Sequence, residues 1–257
     1  MQETPDYYND TRMETIILSG LLGLISGLAV NYFSDVLPVT RKFSAPDCRS
    51  CGKVIPWREY LLHRRCPACG ARPPAKKFAI YAVCILGMLS LAAYSPGRLP
   101  LLETWLLFSY LVLVGVIDLE YRLVLHPVSI AGAVLTFAAG AQLHGTLPTI
   151  LGGAAGFGIM LALYYLGDLF ARWMAKRRGQ ELDEVALGFG DVILSGVLGL
   201  LLGWPGITAG LVLAILIGGL ASLIFLVAKA VTHSYQPFSA IPYAPFLILG
   251  AVILIFR

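Results

Sequence analysis

Long apolar runs alternate along this chain with short segments rich in proline, glycine and charge. Read against that punctuation, the pattern predicts about eight helices, over residues 14–36, 78–94, 101–117, 128–143, 148–171, 192–202, 206–231 and 241–256. A helix needs about 20 apolar residues to cross a bilayer. The predicted fold is therefore all-α, a polytopic membrane helix bundle. The first run follows a polar, acidic start with no basic region and no small-residue cleavage site, so it reads as a retained span whose N-terminus stays outside. The sixth run is short for a span and stops at Gly203-Trp204-Pro205-Gly206. Two readings of it stay open: it begins below the membrane surface, or it extends back through Gly188-Phe189-Gly190.

Composition narrows the class further. With 58% hydrophobic and 13% charged residues among 257, and a mean hydropathy of +0.77, an ordinary soluble domain is excluded. Spanning segments use nearly the whole chain and leave no large soluble domain. The net charge of +4 does not point to nucleic acid, because the basic residues are localised. Ten of them (Arg41, Lys42, Arg49, Lys53, Arg58, Arg64, Arg65, Arg72, Lys76 and Lys77) fall in one loop, and Arg122, Arg172, Lys176, Arg177, Arg178 and Lys229 fall on the same side. Arg12, Arg98 and Arg257 lie opposite. By the positive-inside rule the loop side is cytoplasmic and both termini are outside. The expected division is an N-terminal segment with the first helix (1–36), a cytoplasmic loop (37–77) and a transmembrane bundle (78–257).

Two acids stand out against this background. Asp118, in Val116-Ile117-Asp118-Leu119-Glu120, and Asp191, in Gly188-Phe189-Gly190-Asp191, each sit where an apolar run meets a charged loop. Ionisable groups at such places are costly and mark functional sites. In the predicted topology both lie near the cytoplasmic face, where two carboxyl groups brought together can share a proton and activate water. Gly188 and Gly190 allow close approach or unusual φ values beside the second carboxylate. Plainer readings exist: Asp191 as a helix cap, and Asp118 as interfacial charge paired with Arg122 four residues on. Asp168, near Arg172, fits an ion pair better still. His63, His126, His144 and His233 form no zinc-protease motif.

The other strong pattern is Cys48-Arg49-Ser50-Cys51 with Cys66-Pro67-Ala68-Cys69. Four thiolates at this spacing suit a tetrahedral structural zinc, with Gly52 and Gly70 permitting the tight turns. The basic loop is assigned to the reducing cytoplasm, which disfavours disulfides. A closed four-cysteine site holds the loop rather than performing chemistry. Cys84, inside the second run, reads as a packing residue.

Motif content, order and membrane side together resemble the type IV prepilin peptidases, the prepilin leader peptidase and N-methyltransferase family of aspartic membrane proteases. The resemblance runs from Gly27-Leu28-Ala29-Val30-Asn31 and Leu37-Pro38, through the paired cysteines, to Ile117-Asp118-Leu119-Glu120 with Pro127. It continues over Gly188-Phe189-Gly190-Asp191 and Ile241-Pro242-Tyr243-Ala244-Pro245-Phe246. It implies an aspartic endopeptidase of the bacterial inner membrane that removes the basic leader from prepilins or pseudopilins at the cytoplasmic face. Asp118 and Asp191 match the catalytic positions, with Gly188 and Gly190 in the supporting loop. Substrates would present a basic leader and an apolar helix, among membrane lipid and without nucleic acid.

Many family members carrying the cysteine loop also methylate the new N-terminus with S-adenosylmethionine. This chain departs from the pattern near the loop, reading Val36-Leu37-Pro38, Ala45-Pro46-Asp47 and Phe78-Ala79-Ile80-Tyr81-Ala82 where the family has Arg-Leu-Pro, Pro-Pro-Ser and Tyr-Pro-x-x-Glu. The absent glutamate, a group suited to a cationic amine or sulfonium, bears on methylation rather than proteolysis, so a peptidase-only member is an alternative. A proton-coupled transporter is the rival from another class. It would distribute carboxyl groups through the membrane depth, and a non-catalytic protein docking through the zinc loop is a further one.

Overall fold

The computed structural model of the protein describes residues 5–94, 99–178, 188–231 and 242–255. Arg98, His233, Ile241 and Arg257 lie outside the described residues, as do the side chains of Arg12, Arg178 and Lys229. The regular elements described are helices: α1 (Pro5–Thr40), α2 (Trp57–Leu61), α3 (Lys76–Tyr94), α4 (Leu101–Tyr121), α5 (His126–His144), α6 (Thr146–Arg178), α7 (Phe189–Leu202), α8 (Gly206–Val231) and α9 (Ala244–Ile255). Among the described residues extended pairing is limited to an isolated bridge between Asp47 and Val54. The all-α expectation holds.

Among the described residues six of these helices are long and apolar enough to cross a membrane; α7 and α9 are shorter apolar helices. At 14 and 12 residues they reach about 21 and 18 Å, well under a hydrocarbon layer of about 30 Å. Other helices outrun their apolar stretches. α1 and α4 continue through polar residues until Arg41 and Arg122, whose φ values of 54° and 52° end the helical path. Their amides close the last turns onto Leu37 and Asp118 carbonyls at 3.0 and 2.9 Å. An apolar run locates a membrane segment; a helix stops only where its backbone path breaks. Asp118 accordingly lies within α4 rather than in a loop after it.

The chain forms two compact units, Met1–Ile117 and Asp118–Arg257. In the first, α1 packs along α3 with backbones close enough that a Cβ on Gly23 would lie 2.9 Å from the Cys84 carbonyl oxygen. Cys84 is wholly buried beside Val30 and Ile80, in keeping with a packing role. Trp105 of α4 donates its indole N–H to the Leu22 carbonyl and to Ser26 Oγ at 3.0 and 2.7 Å. Such polar links help hold helices whose apolar surfaces gain nothing by leaving lipid.

In the second unit α7 is enclosed by α5, α6, α8 and α9, and Val192, Leu194, Ser195, Leu198 and Leu201 on it are almost fully buried. Its seam with α6 is built from small residues. A Cβ on Gly152 would collide with the Gly199 carbonyl, and one on Gly199 with that of Gly152. This close backbone approach is how helices associate without a hydrophobic drive between them. It holds the start of α7, and with it Asp191, in register against longer neighbours.

Candidate active site and metal centre

Asp118 and Asp191 are brought together in the second unit. Both are buried, 6% and 8% exposed, and the charge of Asp118 acts on Asp191. Asp118 comes from the last turn of α4. One of its carboxyl oxygens accepts the N–H of Ala244, the first residue of α9. The other, Oδ2, is buried without a hydrogen-bond partner among the described residues. Asp191 sits in the first turn of α7 and accepts the N–H of Gly188, while its own N–H donates to the Gly188 carbonyl at 3.0 Å. This reciprocal pairing resembles a capping box, so the capping role and the placement of a carboxyl at the site coexist. Tyr243 lies just ahead of α9, next to the Ala244 whose N–H Asp118 accepts.

Gly188 and Gly190 serve different purposes. Gly188 is the N-cap of α7 with an ordinary extended backbone, φ −75°, so it needs no left-handed freedom and contributes its N–H. Gly190 is required by space: a Cβ there would lie 2.5 Å from Val124 Cγ2 and 2.9 Å from Val124 Cβ. Gly190→Ala should therefore push the 189–191 turn away from Val124. With both aspartates intact, we expect peptide cleavage to fall about 10- to 100-fold, because shifts near 1 Å cost that much in a positioned site. The check is turnover of one peptide substrate by both proteins, matched for monodispersity.

Asp168 is bound within its own helix, with Arg172 Nη2 to Oδ2 at 2.8 Å and Arg172 Nε to Oδ1 at 3.1 Å. It is a helix-surface ion pair.

The cysteine loop folds as two matching knuckles. Gly52 N–H donates to the Cys48 carbonyl at 2.7 Å and Gly70 N–H to the Cys66 carbonyl at 2.8 Å. Both glycines take left-handed φ, 69° and 71°, as the tight turns require. The four sulfurs of Cys48, Cys51, Cys66 and Cys69 converge within 4.8 Å of one another. Cys48 to Cys69 is 3.7 Å and Cys51 to Cys66 is 3.8 Å, far longer than a disulfide. A tetrahedron with metal–sulfur bonds of about 2.3 Å has edges of about 3.8 Å, so the donor set fits one tetrahedral metal ion. Backbone N–H groups of Ser50 and Cys51 lower the Cys48 thiol to about 6, while against the Ala71 N–H the neighbouring sulfurs push Cys69 up, so the four thiols share their protons as one cluster.

One group in the first unit was not singled out by the sequence. Asp35 of α1, 14% exposed on its side chain, accepts from Arg49 of the first knuckle (3.1 Å), Lys76 (3.0 Å) and Lys77 (3.1 Å) at the start of α3. Tyr60 of α2 donates its hydroxyl to the same carboxylate at 2.8 Å, and burial followed by the Asp35 charge pushes that phenol up. Lys77 Nζ also lies 3.7 Å from the centre of the Tyr60 ring. A cavity of about 160 Å³ beside the knuckles is lined by Asp35, Tyr60, Lys77 and both cysteines Cys48 and Cys66. The signal was present, since a carboxylate inside an apolar run is unusual by itself.

Over residues 105–223, a stretch holding both aspartates, the chain matches the family model described as the type IV leader peptidase family. It is 28% identical over 222 residues to a prepilin leader peptidase/N-methyltransferase of Klebsiella pneumoniae, covering 77% of this chain and 91% of that relative. A prepilin leader peptidase/N-methyltransferase of Myxococcus xanthus (strain DK1622) is 26% identical over 223 residues, 81% of this chain and 62% of that longer relative. No solved structure matches the chain significantly.

Proposed function

We propose that the chain, which matches the type IV leader peptidase family over residues 105–223 and has six helices long and apolar enough to cross a membrane among its described residues, is an integral membrane peptidase of that family that cleaves the basic leader from type IV prepilins or pseudopilins with Asp118 and Asp191 as its catalytic pair. The observation that supports this reading is the meeting of the two carboxyl groups in one buried place, with Asp118 Oδ2 left unpartnered there. In the reading, one ionised carboxylate takes a proton from the attacking water. The other, protonated, polarises the scissile carbonyl and passes a proton to the leaving amine. The pair titrates as a unit. The Ala244 N–H holds one face of Asp118 and leaves the other for water or peptide.

The four cysteines would hold zinc as a structural ion, ordering the loop between α1 and α3. With the basic residues clustered on that side, the loop and the site face the cytoplasm of a bacterial inner membrane. The names of both relatives also carry N-methyltransferase; S-adenosylmethionine is the methyl donor that this second activity would use.

The test is purified protein in liposomes with a prepilin carrying a basic leader and an apolar helix, with S-adenosylmethionine, the product's N-terminus being read by mass spectrometry. Cleavage at the junction of leader and apolar helix is the expected result, and a mass gain of one methyl group would add the second activity. An intact, zinc-loaded protein that leaves a panel of prepilins uncut would overturn the reading and favour a transporter.

A further inference from the structure

Between Glu14 and Asp35 the sequence of α1 carries no charge. At about 1.5 Å per residue the two acids are about 31 Å apart along the helix, close to the hydrocarbon thickness of about 30 Å. Asp35 therefore marks the level at which α1 leaves hydrocarbon on the loop side. α3 agrees. Lys76 and Lys77, which open it, bind Asp35 at 3.0 and 3.1 Å, and no charge follows them up to Tyr94.

α2 lies across α1 and α3 at that level. The Trp57 ring meets Tyr32, just to the membrane side of Asp35, with centroids 5.0 Å apart. Past the other end of α2, the His63 ring packs against Phe78 and Tyr81, at 5.6 and 5.1 Å, again to the membrane side of Lys77. Between these fastenings Tyr60 turns inward, its hydroxyl on Asp35 and its ring against Lys77 Nζ. Steps of 100° then put Arg58 and the C-cap residue Leu62 on the outer face of α2, with Trp57 and Leu61 on its flanks. All four are exposed, Trp57 at 47%, Leu61 at 47% and Leu62 at 61%. Phe43, 80% exposed, returns to the same level, its ring 6.1 Å from that of Phe33.

Large apolar side chains bared on a loop in water are costly. At a membrane boundary they have a partner, because tryptophan and leucine side chains on an amphipathic stretch sink between lipid headgroups. The surrounding charge selects which headgroups. Residues 36–75 carry eight Arg and Lys against two acids, Asp47 and Glu59. Arg58 shares the outer face of α2, exposed Arg64 and Arg65 follow His63, and exposed Arg41 and Lys42 precede Phe43. A surface of that sign attracts the phosphates of anionic lipid, each cation contributing about fivefold.

We propose that α2 and Phe43 form an interfacial anchor: Trp57, Leu61, Leu62 and Phe43 sink into the headgroup layer of the leaflet on the loop's side, and Arg58, Arg64 and Arg65 bind the phosphates of anionic phospholipid there. The cysteine knuckles then rest on the membrane surface instead of standing away from it. This holds whatever peptide is cut.

The test uses the full chain in bilayers of phosphatidylcholine and phosphatidylglycerol in equal amounts, one lipid or the other being brominated on its acyl chains near the headgroup. A fluorophore is carried by a keto amino acid at Leu61 or at Leu62, which leaves the cysteines untouched and supplies a second position should one variant fail to fold. Brominated phosphatidylglycerol should quench with an association at least about fivefold above that of brominated phosphatidylcholine, the share of one cation. Acrylamide in the water should quench weakly. In Arg58→Gln/Arg65→Gln, matched for monodispersity, the preference for the anionic lipid should fall away. Quenching by acrylamide and by neither lipid would place α2 in water and overturn the proposal. Protection from acrylamide and from both lipids would mean that protein covers α2, and equal quenching by both lipids would remove the anionic partner; either result overturns the proposal too. Cleavage of prepilins enters none of these readouts.

Discussion

Asp118→Asn and Asp191→Asn are each expected to lower prepilin cleavage by about a thousandfold or more, within the range that removal of a general acid or base produces. The change is nearly isosteric. An Asn at 118 keeps a carbonyl oxygen for the Ala244 N–H, and an Asn at 191 keeps one for the Gly188 N–H. The helix ends at α4, α7 and α9 should therefore survive. What is lost is the ability to hold one ionised and one protonated carboxyl group. Because the two act together, the double variant should be little worse than either single one. Mass-spectrometric turnover, with monodispersity and zinc content matched to wild type, makes the measurement. Cleavage at the wild-type rate by either Asn variant would remove that residue from the chemistry.

The second large effect is expected at the cysteines. Structural zinc in small sites contributes on the order of 10 kcal/mol to folding of the segment it binds. The loop has little else: α2 is five residues long, and the extended pairing is a single bridge. Purified wild type should carry one zinc per chain. Cys66→Ser, which removes the buried sulfur paired with Cys51 at 3.8 Å, should abolish bound zinc. Limited trypsin should then cut at Arg49, Lys53, Arg64 and Arg65 at least about tenfold faster than in the loaded wild type, as local unfolding becomes dominant. A zinc-free wild type with the same digestion pattern as the variant would sink the structural-metal reading.

How far the sequence reaches differs by residue. Asp118, Asp191 and the four cysteines were legible because a carboxylate at a membrane boundary, or four thiols at knuckle spacing, has few inexpensive explanations. Gly52 and Gly70 were legible because each tight turn needs a left-handed residue. The role of Gly190 was only half visible, since sequence cannot tell a positive φ from a close neighbour such as Val124. Ala244 escaped altogether as a donor to Asp118, because it acts through its backbone and any residue offers the same N–H. The small-residue seam between α6 and α7 hid among 27 glycines. The eight apolar runs correspond to eight apolar helices among the described residues, six of spanning length and two, α7 and α9, shorter, a difference that apolar length as a one-dimensional signal shows only in part.

The Asp35 cluster bears on how the chain is made. During synthesis α1 emerges with its carboxylate uncompensated, and two of its cationic partners, Lys76 and Lys77, follow 41 and 42 residues later. Arg49, 14 residues on, is the first of its cations to follow, and a carboxylate in α1 short of its partners is costly at the membrane boundary. Neutralising it requires that the loop turn back, which also brings Cys48 and Cys51 towards Cys66 and Cys69. A metal ion held by the four cysteines would thus stabilise the same hairpin that pairs Asp35 with Lys76 and Lys77.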